Sequence, residues 1–294
     1  MYIKIRYSYE VLMKRNIHSF FAVGLLSTCF ILPACSDSES SNPNQPAEIN
    51  SSTSAETPES QASGEPESPT FNIPLDESGF ADIQAVYQSI QPNEKAVFIL
   101  RHGEREPRVT KETPLTEDGV EQSKSVGAKL VGQEDFNYLS TDFVRTKETC
   151  SNIAIGRGQS TFPYDTNGTY TSSAYIKNKE QFNAYNSLDG NNSSVVIATW
   201  AYTGEYSDAF NDIKETSESI IASTFQIVQS RITVICSHDD FLVPMVVYLS
   251  DKKADVKLYE SHKWLNYLAG VAIIIDEKGS RRAYAIKGLE SGTR

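Results

Sequence analysis

Two short apolar runs, 96–100 and 232–236, and the strand-like stretch 136–140 each stop at a cluster of polar side chains, and each is followed by residues with helical spacing. Short apolar runs bounded in this way read as buried strands. Strands alternating with helices predict an α/β domain of three layers, α/β/α, around a mainly parallel central sheet. Such sheets bind ligands beyond the carboxyl ends of their strands. The polar clusters fall at those ends, so the pattern predicts where the chemistry sits.

The first cluster is Arg101-His102-Gly103-Glu104-Arg105-Glu106-Pro107. Arg101 and Arg105 offer forked donors suited to phosphate oxygens. His102 offers a nitrogen nucleophile, and Gly103 lets the backbone approach a ligand closely. In isolation the same residues also describe a strand followed by a charged surface turn. The second cluster runs from Ser140 to Thr149 and places Arg145 in the first turn of a helix. From there its charge adds to the positive helix start and points back at the strand end. The third is Ser237-His238-Asp239-Asp240, after a β-branched run.

These motifs occur in a telling order. Arg101-His102-Gly103 is followed by Leu115-Thr116-x-x-Gly119, then Arg145-Thr146-x-x-Thr149, then His238. The series resembles the histidine phosphatase superfamily, whose fold is phosphoglycerate mutase-like. Arg105, Pro107 and the His238-Asp239 pair are most similar to its acid phosphatase branch. The resemblance implies a small phosphate ester as substrate, with His102 as the nucleophile that becomes a phosphohistidine. It implies that Arg101, Arg105, Arg145 and His238 hold the phosphate, that Asp239 is the proton donor, and that no cofactor or metal takes part. The mutase-like branch often carries a glutamate acid in the region after the second motif; Glu180 and Glu205 are the nearby candidates, neither in a recognisable context. A phosphate-transferring mutase and a catalytically inactive binding protein on the same fold are the alternative functions.

Thr116 has the character of an N-cap, with Glu117 and Asp118 suited to a positive helix start. The helix they open is expected to end at Gly132, and the motif containing Gly119 to serve packing. Farther on, 195–199 reads as a strand, 207–229 as a long helix, and 270–286 as a β-hairpin. Residues 157–193 hold turn signals with Tyr164, Tyr170, Tyr175, Phe182 and Tyr185 between them. They form either a cover over the pocket or a surface segment whose aromatics pack on the sheet.

Residues 1–34 have the features of an export signal: Lys14 and Arg15, then an apolar run too short for a bilayer, which takes about 20 residues. Leu32-Pro33-Ala34-Cys35 matches a bacterial lipoprotein cleavage box, with Cys35 as the lipidated residue. Residues 35–74 are poor in apolar and aromatic side chains and read as a disordered acidic tether. The catalytic domain is then 75–294. This arrangement predicts a protein of the bacterial cell envelope, held to the membrane by a lipid anchor and facing the periplasm or cell surface.

The formal net charge of −11 argues against nucleic acid as a partner. It leaves room for a local arginine pocket on an acidic surface. Of the 4 Cys, Cys150 and Cys236 lie in the domain. They are either a disulfide or two buried small residues, the second reading being slightly preferred. No Cys-x-x-Cys or His-x-x-x-His pattern suggests a structural metal.

Overall fold

A computed structural model describes residues 72–160, 164–256 and 265–289. The export signal 1–34, the lipidation site Cys35 and nearly all of the tether lie outside the described residues, as does His262. Ile73, near the start of the described residues, is part of the core.

The elements are α1 (Ile83–Gln88), β1 (Lys95–Arg101), α2 (Glu117–Lys129), β2 (Asn137–Ser140), α3 (Val144–Gly156), β3 (Tyr164–Thr166), α4 (Lys179–Asn186), α5 (Ser193–Thr203), α6 (Ile213–Ile227), β4 (Ile232–Ser237), α7 (Asp239–Leu249), β5 (Gly270–Ile275) and β6 (Arg281–Ile286). They build a 6-stranded sheet in the order β3-β2-β4-β1-β5-β6. The pairs β2/β3, β2/β4 and β1/β4 are parallel. The hairpin β5/β6 joins β1 antiparallel and closes the other side. The architecture is the expected α/β fold with a mainly parallel sheet.

Both faces of the sheet are covered because successive side chains on a strand alternate sides. Val97 and Ile99 of β1 pack with α5, α6 and α7. Ala96, Phe98 and Leu100 pack with α1 and α3. A strand buried on both faces reads as the unbroken apolar run seen in the sequence.

Thr116 does cap α2, accepting from the Gly119 amide at 2.9 Å. The helix ends at Lys129, before Gly132. Gly119 serves packing: a Cβ there would lie 2.1 Å from the Glu104 carbonyl oxygen. Gly103 corrects the expectation made for it. A Cβ there would meet Ser123 Oγ at 2.8 Å and Gly119 O at 2.9 Å, so the missing side chain admits α2 and not a ligand. The loop bearing His102 is therefore pressed against α2 backbone to backbone.

Residues 195–199, read as a strand, lie inside α5. A short apolar run is the same for a buried helix and a buried strand. Here Asn192 accepts from the amides of Ser194 and Val195 and starts a helix. The long helix expected over 207–229 begins only at Ile213, where Asp212 caps the Glu215 amide. In the stretch 157–193, Tyr170, Tyr175 and Phe182 pack inward. Tyr170 and Tyr175 are fully buried and bond through their hydroxyls to Thr224 and Ser217 of α6. Phe182 meets Phe210 edge-on. Among the described residues these rings are core and not a cover over the pocket.

Cys150 of α3 and Cys236 of β4 form a disulfide, with Cα atoms 5.9 Å apart. The preference for two separate buried thiols is thus overturned. The proximity follows from the α3–β4 packing on that face of the sheet.

Candidate active site

The carboxyl ends of the parallel strands β1, β2 and β4 meet at one place. β1 and β4 pair with Arg101 opposite Ser237. The His102 amide continues the ladder onto the Ser237 carbonyl at 3.0 Å. β2 and β4 pair with Ser140 opposite Cys236, and the Thr141 amide reaches the Cys236 carbonyl at 3.3 Å. Register alone therefore puts His102, Thr141 and His238 at one level of the sheet.

His102 and His238 face each other with ring centroids 5.5 Å apart. His102 is 1 % exposed. Its Nδ1 lies 2.7 Å from the carbonyl oxygen of Gly103. A carbonyl only accepts, so Nδ1 carries the proton and Nε2 keeps its lone pair. Burial, followed by Arg101, the facing His238 ring and Arg145, holds the imidazole pKa well below its ordinary 6.5, outweighing the opposing Gly103 bond. The ring is therefore neutral.

Arg101 is 2 % exposed. Nη1 donates to the Leu265 carbonyl at 2.6 Å, and the guanidinium stacks 4.2 Å from the Tyr267 ring centre. Its Nη2 lies 3.5 Å from an Asp239 carboxylate oxygen. Arg145, in the first turn of α3, donates from Nη1 to Thr110 O at 2.9 Å and from Nη2 toward His238 Nδ1 at 3.3 Å. Its guanidinium also sits 4.4 Å over the Phe143 ring, which packs edge-on against His238 at 4.6 Å. The Arg145 Nε is buried without a hydrogen-bond partner among the described residues. Burial, then the nearby Arg105 charge, lowers its pKa to about 10, with Asp239 and Asp240 opposing. An arginine so destabilised favours an incoming anion.

Both threonines of the second motif have structural work. Thr149 Oγ1 accepts from the Gly103 amide at 2.9 Å and donates to the Arg145 carbonyl at 2.7 Å. It thereby ties the His102 loop to the helix that carries Arg145. Thr146 bonds Thr141 across 2.9 Å. Arg105 stands apart from this core: it is half-buried, and its Nη1 donates to the carbonyls of Glu106 and Pro107. Its charge reaches Arg145, while its visible hydrogen bonds hold its own loop.

His102, His238, Arg101, Arg145 and Asp239 thus come together, with Arg105 alongside. Glu180 and Glu205 are exposed and make no contact with this cluster in the described residues. The sequence reading missed Thr141, Phe143 and Tyr267. Thr141 lay within the second motif; Tyr267 follows a segment without a pattern and is brought in by the Leu268 amide, which donates to Arg101 O.

Residues 97–166 match the family model described as the histidine phosphatase superfamily, branch 1. Arg101, His102, Arg105 and Arg145 lie inside the matched segment; His238 and Asp239 lie beyond it. The expected likeness to the acid phosphatase branch, read from Arg105, Pro107 and Asp239, is not supported by this match, which is to branch 1. No curated protein sequence matches the chain. Among solved structures, a phosphoglycerate mutase from Bacillus anthracis str. Sterne is 15 % identical, with 67 % of this chain and 93 % of that one covered and a TM-score of 0.45. A mycobacterial glucosyl-3-phosphoglycerate phosphatase is 14 % identical over 67 % of this chain and 100 % of its own, with a TM-score of 0.41. The protein histidine phosphatase SixA complexed with tungstate is 17 % identical over 65 % and 96 %, with a TM-score of 0.35.

Proposed function

We propose that this chain is a phosphomonoester hydrolase acting through a phosphohistidine on His102. The observation that carries the reading is the orientation of that ring. Nδ1 is taken by the Gly103 carbonyl, so the bare Nε2 is the atom left to attack. It does so beside buried guanidinium groups of Arg101 and Arg145.

The reaction follows from these parts. A phosphate ester enters with its oxygens on Arg101, Arg145 and His238, and Arg105 adds charge from the loop. Nε2 attacks phosphorus in line with the leaving alcohol, and the P–O bond to that alcohol breaks. Positioning and fixed positive charge supply most of the acceleration. Asp239, protonated once the ester has taken over Arg101, gives that proton to the departing oxygen, then as a carboxylate draws one from the water that cleaves the phosphohistidine. His102 regains its lone pair and phosphate leaves.

The setting proposed for this reaction is the bacterial cell envelope, with the domain held by a lipid on Cys35. The Cys150–Cys236 disulfide supports an oxidising compartment.

The test is a rapid-quench experiment with a labelled aryl phosphate. Wild-type protein forms an acid-labile, alkali-stable phosphoenzyme and turns the ester over. His102→Ala does neither. Near wild-type turnover in that variant overturns both the nucleophile and the mechanism.

A further inference from the structure

We infer that Thr141 is a positioning residue that sets the tautomer of His238, and so selects the ring atom that meets the phosphate. This rests on the phosphatase reading.

The argument is a count of protons along a buried chain. His238 Nε2 lies 2.9 Å from Thr141 Oγ1, and Thr141 Oγ1 lies 2.9 Å from Thr146 Oγ1. Thr146 Oγ1 lies 2.8 Å from Phe143 O and 3.0 Å from Thr141 O. Both threonines are buried. Carbonyls only accept and a hydroxyl has one proton, so the Thr146 proton goes to those carbonyls. Thr146 Oγ1 then accepts from the Thr141 hydroxyl. With its own proton spent, Thr141 can only accept from His238, and Nε2 is the protonated nitrogen. Reversing the chain would leave the close contacts of Thr146 with carbonyls without a proton between them.

The other side of the ring agrees. Arg145 Nη2 only donates, and it lies 3.3 Å from Nδ1. Nδ1 is therefore an acceptor in the free protein, and a proton there would face a guanidinium donor. Two independent contacts give the same tautomer. The relay is anchored at its base by the Thr141 amide on Cys236 O, two residues before His238. With Nε2 committed to Thr141, Nδ1 is the nitrogen on the Arg145 side, where phosphate is proposed to bind; two lone pairs repel, so Nδ1 holds a phosphate oxygen only after taking a proton from the phosphate monoanion or from solvent.

Thr141→Val keeps the shape and removes the relay, while Thr141→Ser keeps the hydroxyl. A misplaced catalytic group costs up to about a hundred-fold in rate. Thr141→Val should therefore lower kcat/KM about ten-fold or more on an aryl phosphate, and Thr141→Ser should restore most of it. Nitrogen-15 NMR of histidine-labelled protein reads the tautomer directly. The ligand-free wild type should show His238 protonated at Nε2 and bare at Nδ1. Saturation with inorganic phosphate should place a proton on Nδ1 and leave Nε2 protonated. A bare Nε2 in the wild type, or a Thr141→Val variant with wild-type rate and wild-type signals, overturns the inference. The NMR readout on wild-type protein needs neither turnover nor a folded variant. Failure of the phosphatase reading would instead appear as absent turnover with the tautomer intact.

Discussion

Arg101 Nη2 and Asp239 Oδ2 stand 3.5 Å apart, with both side chains almost wholly buried. Asp239 opens α7 directly after β4, and Arg101 closes β1, the strand beside it. The pair therefore spans the strand ends at which phosphate is proposed to bind. In the proposed reaction phosphate arriving on Arg101 competes for that guanidinium, and the freed Asp239 carboxyl takes up a proton from solvent before donating it to the leaving oxygen.

Asp239→Asn tests whether the carboxylate is the acid or only the counter-ion of Arg101. As the acid, its loss should slow an alkyl phosphate by about two or more powers of ten. An aryl phosphate with a good leaving group barely needs a proton and should be much less affected. Equal slowing of both substrates would make Asp239 a partner for Arg101 alone. Asp240→Asn should be mild with either.

The depressed pKa of His102 has a consequence for stability. Its ordinary value is 6.5, and burial followed by Arg101, His238 and Arg145 takes the folded value well below it. As pH falls through ~6.5 the unfolded chain binds a proton that the folded protein refuses. This contribution is complete above that pH and is lost on acidification, at most at about 1.4 kcal/mol per pH unit. Denaturant melts of ligand-free protein from pH 7.5 to 5 should show a steeper decline for the wild type than for His102→Gln. Parallel curves would contradict the assignment. The same shift keeps the nucleophile unprotonated in mild acid, so the acid limb of kcat/KM attributable to it should lie below pH 6.5.

Gly119→Ala should damage the site from outside it. The new Cβ would fall 2.1 Å from the Glu104 carbonyl and force the loop after His102 off α2. Overpacking of this kind costs about 1–3 kcal/mol. Gly168→Ala is the control, because a Cβ there meets nothing within 4 Å. Urea titration and aryl phosphate turnover should separate the two, and an unaltered Gly119→Ala would refute the close packing.

Removing the disulfide should cost about 2–4 kcal/mol. Cys150 adjoins Thr149, which holds the Gly103 amide, so its loss should also loosen the His102 loop. Cys150→Ala/Cys236→Ala should unfold at lower denaturant, and native wild-type protein should give no free thiol from either cysteine. Quantitative alkylation of both in the oxidised protein would show that the bond is absent.

Lipidation is tested at Cys35. The wild type should partition into detergent at a mass raised by acyl chains, and Cys35→Ala should be soluble or unprocessed. Wild-type protein recovered from a periplasmic wash at its unlipidated mass would remove the anchor.

Local pattern made the strand ends legible. The runs before Arg101 and His238 are apolar at nearly every position because both faces of β1 and β4 are covered, and that leaves a signal in one dimension. Thr116 likewise declares α2, since a cap acts within one turn. Local pattern could not separate helix from strand at 195–199, where the run is too short to show its period. It also said nothing of Thr141 bonding to His238, residues 97 apart in the chain. The approach of Gly103 to Gly119, the joining of Cys150 to Cys236 and the pairing of Arg101 with Asp239 were decided by strand order and helix packing. Those contacts depend on which elements become neighbours, and residue type records only that a small, polar or charged side chain is present.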